Sequence, residues 1–245
     1  MAEKNERDLF VKSILPAFGN CSDRLNNLRI TGFLAMKGNL YDLDHELMVV
    51  GRAVNGWTEG ILISELNSHY LIEKYANIVF QSVSHNRCPM SWVTDRWGND
   101  HAYNTKRSAF WRVVRAVVDN LHIANITEGN WPSHIVWSNL YKVAPAEGGN
   151  PSDTICNIQF RGCRSLLGLE LTNYSPKRLL FLTGLDWAKP FLENICHLTK
   201  TGKTFSEAVG EFKHDNQTTK VVIAGHPQGK PEDEWVQEVT EAFYA

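Results

Sequence analysis

Four short apolar runs mark the predicted strands of this chain. They are ELMVVG (46–51), HIVWSN (134–139), RLLFLTG (178–184) and KVVIAG (220–225). Each run is apolar at consecutive rather than alternate positions, which is typical of central parallel strands covered on both faces. The pattern therefore predicts a buried parallel sheet.

Helical periodicity fills the intervals between and after these runs. Apolar residues recur every three or four positions in four segments, at 108–123, 151–171, 186–198 and 231–243. Strands that alternate with helices predict an α/β fold, a three-layer αβα sandwich around a central four-stranded parallel sheet.

The organisation along the chain favours a single domain. No internal repeat or low-complexity linker divides the sequence. We therefore expect one domain over residues 1–245, with residues 1–40 as an N-terminal helical extension. In parallel sheets of this kind, ligands bind beyond the carboxyl ends of the strands.

Composition and charge exclude several classes of protein. The chain has 245 residues, of which 43% are hydrophobic and 21% charged, and a net charge of −2, which excludes a polycation such as a histone. No apolar run reaches the roughly 18 residues that cross a bilayer, and the charged N-terminus does not resemble a secretory signal. Five cysteines without a C-x-x-C pair suggest neither a disulfide framework nor a zinc ribbon. We expect a cytoplasmic protein with no membrane partner.

Polar residues follow three of the predicted strands. GRAVNGW (51–57) follows the first and lacks both dinucleotide and P-loop patterns. Asn139 and Lys142 follow the second, and His226 follows the last. Convergence of these groups on one crevice predicts a site for a planar polar ligand. Taken singly, each has a structural alternative: a His-Pro turn, an amide that caps a strand, and a solvated charge.

The order of these strand ends resembles the uracil-DNA glycosylase superfamily. VVGRAVNGW is similar to its G-[QEM]-[DAN]-P motif, WSNLYK to its T-N-x-x-K motif, and IAGHPQGK to its His-Pro-Ser motif. VAPAEGGNPSD and LLFLTG match two further segments, so the resemblance covers roughly residues 45 to 243. It implies a four-stranded parallel sheet and cleavage of the bond between a damaged base and its sugar.

The resemblance also implies roles for individual residues. The target nucleotide must leave the duplex stack, and the departing base carries negative charge. His226 would donate a hydrogen bond to that base, and Asn139 would read its edge. Residues expected to line the base pocket are Gly51, Arg52, Ala53, Trp57, Phe80, Asn139 and Lys142, with Trp57 and Phe80 as stacking candidates. The loop of Gln228, Gly229 and Lys230 would contact DNA. No cofactor is implied, because Val143 stands where some relatives place an iron–sulfur cysteine.

The first motif departs from the family. Relatives hold a carboxylate or an asparagine where this chain has Arg52 and Ala53, neither of which acts as a base at neutral pH. Val54 replaces the usual proline. Asn55 is the candidate catalytic residue that would position water from a shifted place, and Glu59 is a second candidate.

A basic, aromatic segment at 87–115 is a second candidate nucleic-acid surface. Its arginines include Arg107 and Arg112, and tryptophans are interleaved with them. The alternative is that Phe110 and Trp111 belong to the core and the arginines flank a solvated helix. The C-terminal helix is acidic, so we expect it to face away from DNA.

Three hypotheses follow. The first is a DNA glycosylase that acts on uracil or another damaged base in DNA, as a monomer. The second is a non-catalytic relative that binds nucleic acid or a free base after losing the water-activating residue. The third keeps the fold and abandons DNA, as a small-molecule hydrolase or nucleotide-binding protein.

Overall fold

The structure, a computed structural model, describes residues 2–19, 21, 25–83, 88–101, 103–214 and 217–245. Within these ranges the α-helices are α1 (Ala2–Leu9), α2 (Leu15–Gly19), α3 (His69–Val83), α4 (Trp92–Asp95), α5 (Ala109–Asn120), α6 (Asp153–Tyr174), α7 (Leu185–Leu192) and α8 (Glu232–Ala242). The strands are β1 (Arg29–Gly32), β2 (Met36–Lys37), β3 (Leu47–Gly51), β4 (Ile61–Leu62), β5 (Ile135–Asn139), β6 (Val143–Pro145), β7 (Arg178–Phe181), β8 (His197–Lys200), β9 (Ser206–His214) and β10 (Gln217–Ala224).

The chain folds into two compact units, each assembled from three segments. The first unit comprises Met1–Ala35, Gly51–His85 and Asn139–Asn173. The second comprises Met36–Val50, Asn86–Ser138 and Tyr174–Ala245.

The second unit is built on a mixed sheet with the strand order β2-β5-β3-β7-β10-β9-β8. Strand β7 pairs in parallel with both β3 and β10, whereas β9 runs antiparallel to β10 and β8, and β2 runs antiparallel to β5. The four predicted strands are confirmed as β5, β3, β7 and β10, and they occupy four adjacent positions. The sheet as a whole has seven strands and is mixed, whereas the sequence predicts four parallel strands.

Burial explains why those four strands could be recognised in the sequence. Every residue of β3 and β5 is buried, as are the last three of β7 and the last four of β10. Strand β8 is mostly exposed, and β9 mixes buried and exposed positions. Since these two strands belong to an edge hairpin, they lack the continuous apolar run of a central strand.

The first unit contains a small antiparallel sheet in which β1 lies between β4 and β6. The first 40 residues are not a helical extension throughout: they are helical through Gly19 and then contribute β1 and β2. The helical part belongs to the core, because Phe10, Ile14, Leu15 and Phe18 are fully buried.

The four predicted helices are confirmed as α5, α6, α7 and α8, but α7 is shorter than the predicted segment 186–198. It ends at Leu192, and His197 and Leu198 belong to β8. Helix α8 contacts both α5 and the β9–β10 pair. No helix in the described part of the chain is long and apolar enough to cross a membrane.

Candidate functional site

The residues singled out in the sequence divide between the two units. The first unit contains Gly51, Arg52, Ala53, Asn55, Trp57, Phe80, Asn139 and Lys142. The second contains Arg107, Arg112, His226, Gln228, Gly229 and Lys230.

Asn139 presents a buried hydrogen-bond donor at the end of β5. Its side chain is only 2% exposed, and its Nδ2 has no hydrogen-bond partner among the described residues. Leaving such a group unsatisfied costs about 1–3 kcal/mol, so a buried donor of this kind calls for a partner such as an ordered water or a ligand. The amide is therefore suited to receive an acceptor atom from a ligand.

Lys142 is a fully buried cation rather than a solvated charge. Its Nζ lies 2.6 Å from Oε1 of Glu170 on α6, and both side chains are 0% exposed. Gln159 fixes the adjacent backbone, since its Oε1 accepts from the N–H groups of Lys142 and Val143 at 3.1 and 2.8 Å. Lys142 was expected to contact the substrate, whereas the structure places it in a buried ion pair with Glu170.

Asn55 joins two loops of the first unit. Its Oδ1 accepts a hydrogen bond from Gly149 N at 2.6 Å, where Gly148 and Gly149 have φ of 98° and 87°. The neighbouring carbonyls of Gly51 and Arg52 accept from residues 140 and 141, each at 2.9 Å. The amide oxygen that would position a water is thus engaged by a backbone N–H.

The two stacking candidates are both half-buried in the first unit. Trp57 donates from Nε1 to Ser82 Oγ at 3.2 Å, and its ring meets Phe33 edge-to-face with centroids 5.9 Å apart. Phe80 lies on α3. Trp57 is therefore held by a hydrogen bond and by ring packing, and the side chain of Ala53 carries no polar group for a ligand.

His226 leaves β10 through a braced connection. Gly225 N donates to Phe205 O at 2.9 Å, and Gly225 O accepts from Trp235 Nε1 on α8 at 2.9 Å. Because Trp235 is fully buried, the residue before His226 is anchored to the core.

The turn itself determines which nitrogen of His226 carries the proton. Gln228 N lies 3.2 Å from Nδ1 of His226, and a backbone N–H can only donate, so Nδ1 is the acceptor. In the neutral imidazole the proton is therefore on Nε2. Lys230 N closes the turn on Pro227 O at 3.0 Å, and Gly229 has φ of 72°. Pro227 is buried, whereas residues 228–230 form an exposed tip.

Sequence reasoning missed a carboxylate in the same unit. Glu207 lies on β9, with Oε2 2.6 Å from Leu185 N at the start of α7. Its Oε1 lies 3.0 Å from the point that a Cβ on Gly225 would occupy. Antiparallel pairing of β9 with β10 brings it there, and a lone glutamate in FSEAVG carries no motif that signals this pairing.

The arginines of the basic segment are largely engaged. Arg112 binds Glu232 of α8 with two nitrogens, Nε at 2.9 Å and Nη2 at 2.5 Å, and this carboxylate raises the pKa of the guanidinium. Arg107 is 76% exposed and lies 3.1 Å from Asp100. The acidic start of α8 therefore lies against the basic segment through Arg112. Arg87, at the start of that segment, lies outside the described residues.

Two of the tryptophans interleaved with these arginines, Trp92 and Trp111, cluster with Trp137 of β5 in the second unit. Ring centroids of Trp92, Trp111 and Trp137 lie 5.2 to 5.5 Å apart. Trp111 and Trp137 are buried, which favours the core interpretation of Trp111 over a stacking surface. Tyr103 is the exposed aromatic beside them, at 48%.

In comparisons with known proteins, no family model matches the chain and no curated protein is significantly similar to it. Among the described residues, no group of three His, Cys, Asp or Glu side chains could hold a metal ion.

Proposed function

We propose that this protein is a divergent member of the uracil-DNA glycosylase superfamily that hydrolyses the N-glycosidic bond of uracil or another damaged base flipped from DNA. The observation that carries the proposal is the His226 turn. It leaves β10 at the edge where the parallel strands β3 and β7 also end, and its Nδ1 accepts from Gln228 N.

The fixed tautomer suits the chemistry of a departing base. When the bond between the sugar and the base breaks, the base takes the electron pair and becomes an anion. A neutral His226 with its proton on Nε2 donates to an oxygen of that anion. Removing one preorganised donor of this kind typically lowers kcat by about 10²–10³-fold.

Asn139 supplies the second support, within its own unit. Its buried Nδ2 donor is complementary to a carbonyl oxygen, which uracil and hypoxanthine carry where cytosine and adenine carry an amino group. If a ligand presented an amino group there, two hydrogen-bond donors, that amino group and Asn139 Nδ2, would face each other. The amide therefore favours deaminated bases.

The exposed tip of Gln228, Gly229 and Lys230 is our proposed DNA contact. Arg107 is an exposed cation in the same unit, but Asp100 at 3.1 Å offsets its charge, so we propose a smaller contribution from it. Arg112 takes a different role from the expected one. Its Nη1 donates to Lys106 O at 2.9 Å while Nε and Nη2 bind Glu232, so it positions α8 and the end of the His226 loop.

The test is excision from oligonucleotides that carry uracil or hypoxanthine, followed by alkaline strand cleavage. We expect scission by the wild-type protein and a loss of at least about 10²-fold in single-turnover rate for His226→Ala. His197→Ala, a change at an exposed histidine on β8, is the matched control and should cleave normally. No scission of any lesion at stoichiometric protein would contradict the proposal.

The non-catalytic alternative has a specific observation in its favour. The water-positioning candidate Asn55 is hydrogen-bonded to Gly149, and Arg52 and Ala53 provide no base. On this hypothesis a uracil-containing duplex binds without turnover, and Asn139→Ala weakens that binding. Tight binding without scission would therefore select the alternative.

A further inference from the structure

We propose that Glu207 is the catalytic carboxylate that activates water for this reaction, in place of the acid missing from the GRAVNG segment. The inference rests on the proposed function. Glu207, Gly225 and His226 all belong to the second unit.

The first observation is a bulge in β9 that places Glu207 at the end of β10 that leads into His226. Strand β9 pairs with β10 so that Ile223 is opposite Ala208, whereas Ala224 is opposite Ser206. Glu207 is the extra residue between these two pairs, directly before the strand leads into His226. Bulges beside active sites commonly redirect a side chain, and this one redirects a carboxylate.

The second observation is the way in which the carboxylate is held. Oε2 accepts from Leu185 N at 2.6 Å, which caps α7, since its N-cap residue Gly184 has no side chain to do so. Oε1 accepts no hydrogen bond from any described residue and lies beside Gly225. One oxygen thus orients the group, and the other is available to a water.

The third observation is that the neighbouring acids hold other elements in place. Glu238 Oε1 accepts from Phe205 N and Ser206 N, both at 2.6 Å. Glu232 is the bidentate partner of Arg112. Glu207 is the described carboxylate that lies within 4 Å of the Cβ position of Gly225, directly before His226.

The step balances with water as the only co-reactant. Glu207 Oε1 takes a proton from a water molecule while the oxygen of that water bonds to C1′ of the sugar. The C1′–N bond breaks, and its electron pair leaves with the base, whose oxygen accepts a hydrogen bond from His226 Nε2. The proton on Glu207 then passes to solvent or to the departed base. The products are an abasic sugar and the free base.

The informative variant is Glu207→Gln, because a glutamine oxygen still accepts from Leu185 N while the basic oxygen is lost. We expect the single-turnover excision rate on a uracil duplex to fall about 10²-fold or more. Affinity for a duplex with a 2′-fluorinated deoxyuridine, which resists cleavage, should change less than about 3-fold, and the melting temperature should hold. Glu211→Gln, an exposed glutamate on the same strand, is the control and should cleave at the wild-type rate.

A second variant separates chemistry from structure. Glu207→Ala should be inactive but regain excision in added formate, which replaces the missing carboxylate. Normal excision by Glu207→Gln, or equal losses of its binding and rate, would overturn the inference while leaving the proposed function intact. A wild-type protein that excises no lesion would overturn both.

Discussion

At the scale of single residues, two buried side-chain amides of the first unit, Gln159 and Asn139, differ in their hydrogen bonding. Gln159 is hydrogen-bonded at both ends: its oxygen accepts from two backbone N–H groups and its Nε2 donates to Val143 O at 2.7 Å. Asn139 Nδ2, by contrast, is buried with no partner among described atoms. The first amide therefore stabilises the fold, whereas the second leaves a donor unsatisfied at a cost in stability, as its proposed role in binding a base requires.

This contrast makes a prediction for leucine substitutions of similar volume. Asn139→Leu should leave the free energy of unfolding unchanged or raise it by up to about 1 kcal/mol, because an unsatisfied donor is removed. Gln159→Leu, the control, should lower it by about 3 kcal/mol, because three backbone groups lose their partner. Urea denaturation measures both.

For Asn139→Leu, binding of a uracil duplex should weaken at least 10-fold in the same preparation. A large destabilisation of Asn139→Leu would show instead that this amide is structural.

The position of Asn139 at a strand end was predictable, because a continuous apolar run stops there. The sequence could not distinguish Asn139 from Lys142, whose partner Glu170 lies 28 residues away on α6.

At the scale of elements, the strand-end loops of the first unit depend on backbone conformation. Gly149 has φ of 87°, and no atom lies within 4 Å of the point that a Cβ would occupy, so a side chain there meets strain but no collision. Gly168, inside α6, has equal space and a helical backbone. We expect Gly149→Ala to destabilise by about 1–2 kcal/mol and Gly168→Ala to stabilise by about 0.5–1 kcal/mol.

Thermal unfolding of the two alanine variants checks this pair. Both substitutions add the same methyl group, so changes of opposite sign in the free energy of unfolding would arise from the different backbone conformations of the two glycines. Equal changes would contradict the left-handed conformation of Gly149 and the helical conformation of Gly168. If Gly149 also fixes the loop through Asn55, its variant should show faster amide exchange around residue 149, whereas the Gly168 variant should not.

The elements themselves were predictable where burial is continuous. Strands β3, β5, β7 and β10 and the long helices follow from apolar periodicity. Strands β1, β4 and β6 have two to four residues each, too few to show a period, and β9 is interrupted by its bulge. The position of Glu207 depends on that bulge, so the sequence pattern gave no sign of the residue that completes the proposed chemistry.

At the scale of the whole molecule, charge limits how the proposed glycosylase could hold DNA. The net charge is −2, and in the second unit Arg112 is paired with Glu232 and Arg107 with Asp100. Few cations therefore remain near the His226 loop, chiefly Lys106 and Lys230, which are both exposed. The proposed function does not require more cations, since a flipped base is held by contacts in its pocket as well as by contacts to phosphates.

The salt dependence of binding follows from that count. For about two neutralised phosphates, the slope of log Kobs against log salt concentration on duplex DNA should be about −2, at roughly −0.9 per phosphate. Lys230→Gln should make the slope shallower by about 1, because one phosphate contact is lost. Lys213→Gln changes an exposed lysine of β9 far along the chain from the His226 loop, and it should leave the slope unchanged. Fluorescence anisotropy with a uracil duplex between about 50 and 300 mM salt gives all three slopes. A wild-type slope steeper than about −5 would mean that a larger basic surface binds DNA, and the His226 loop would then not be the main contact.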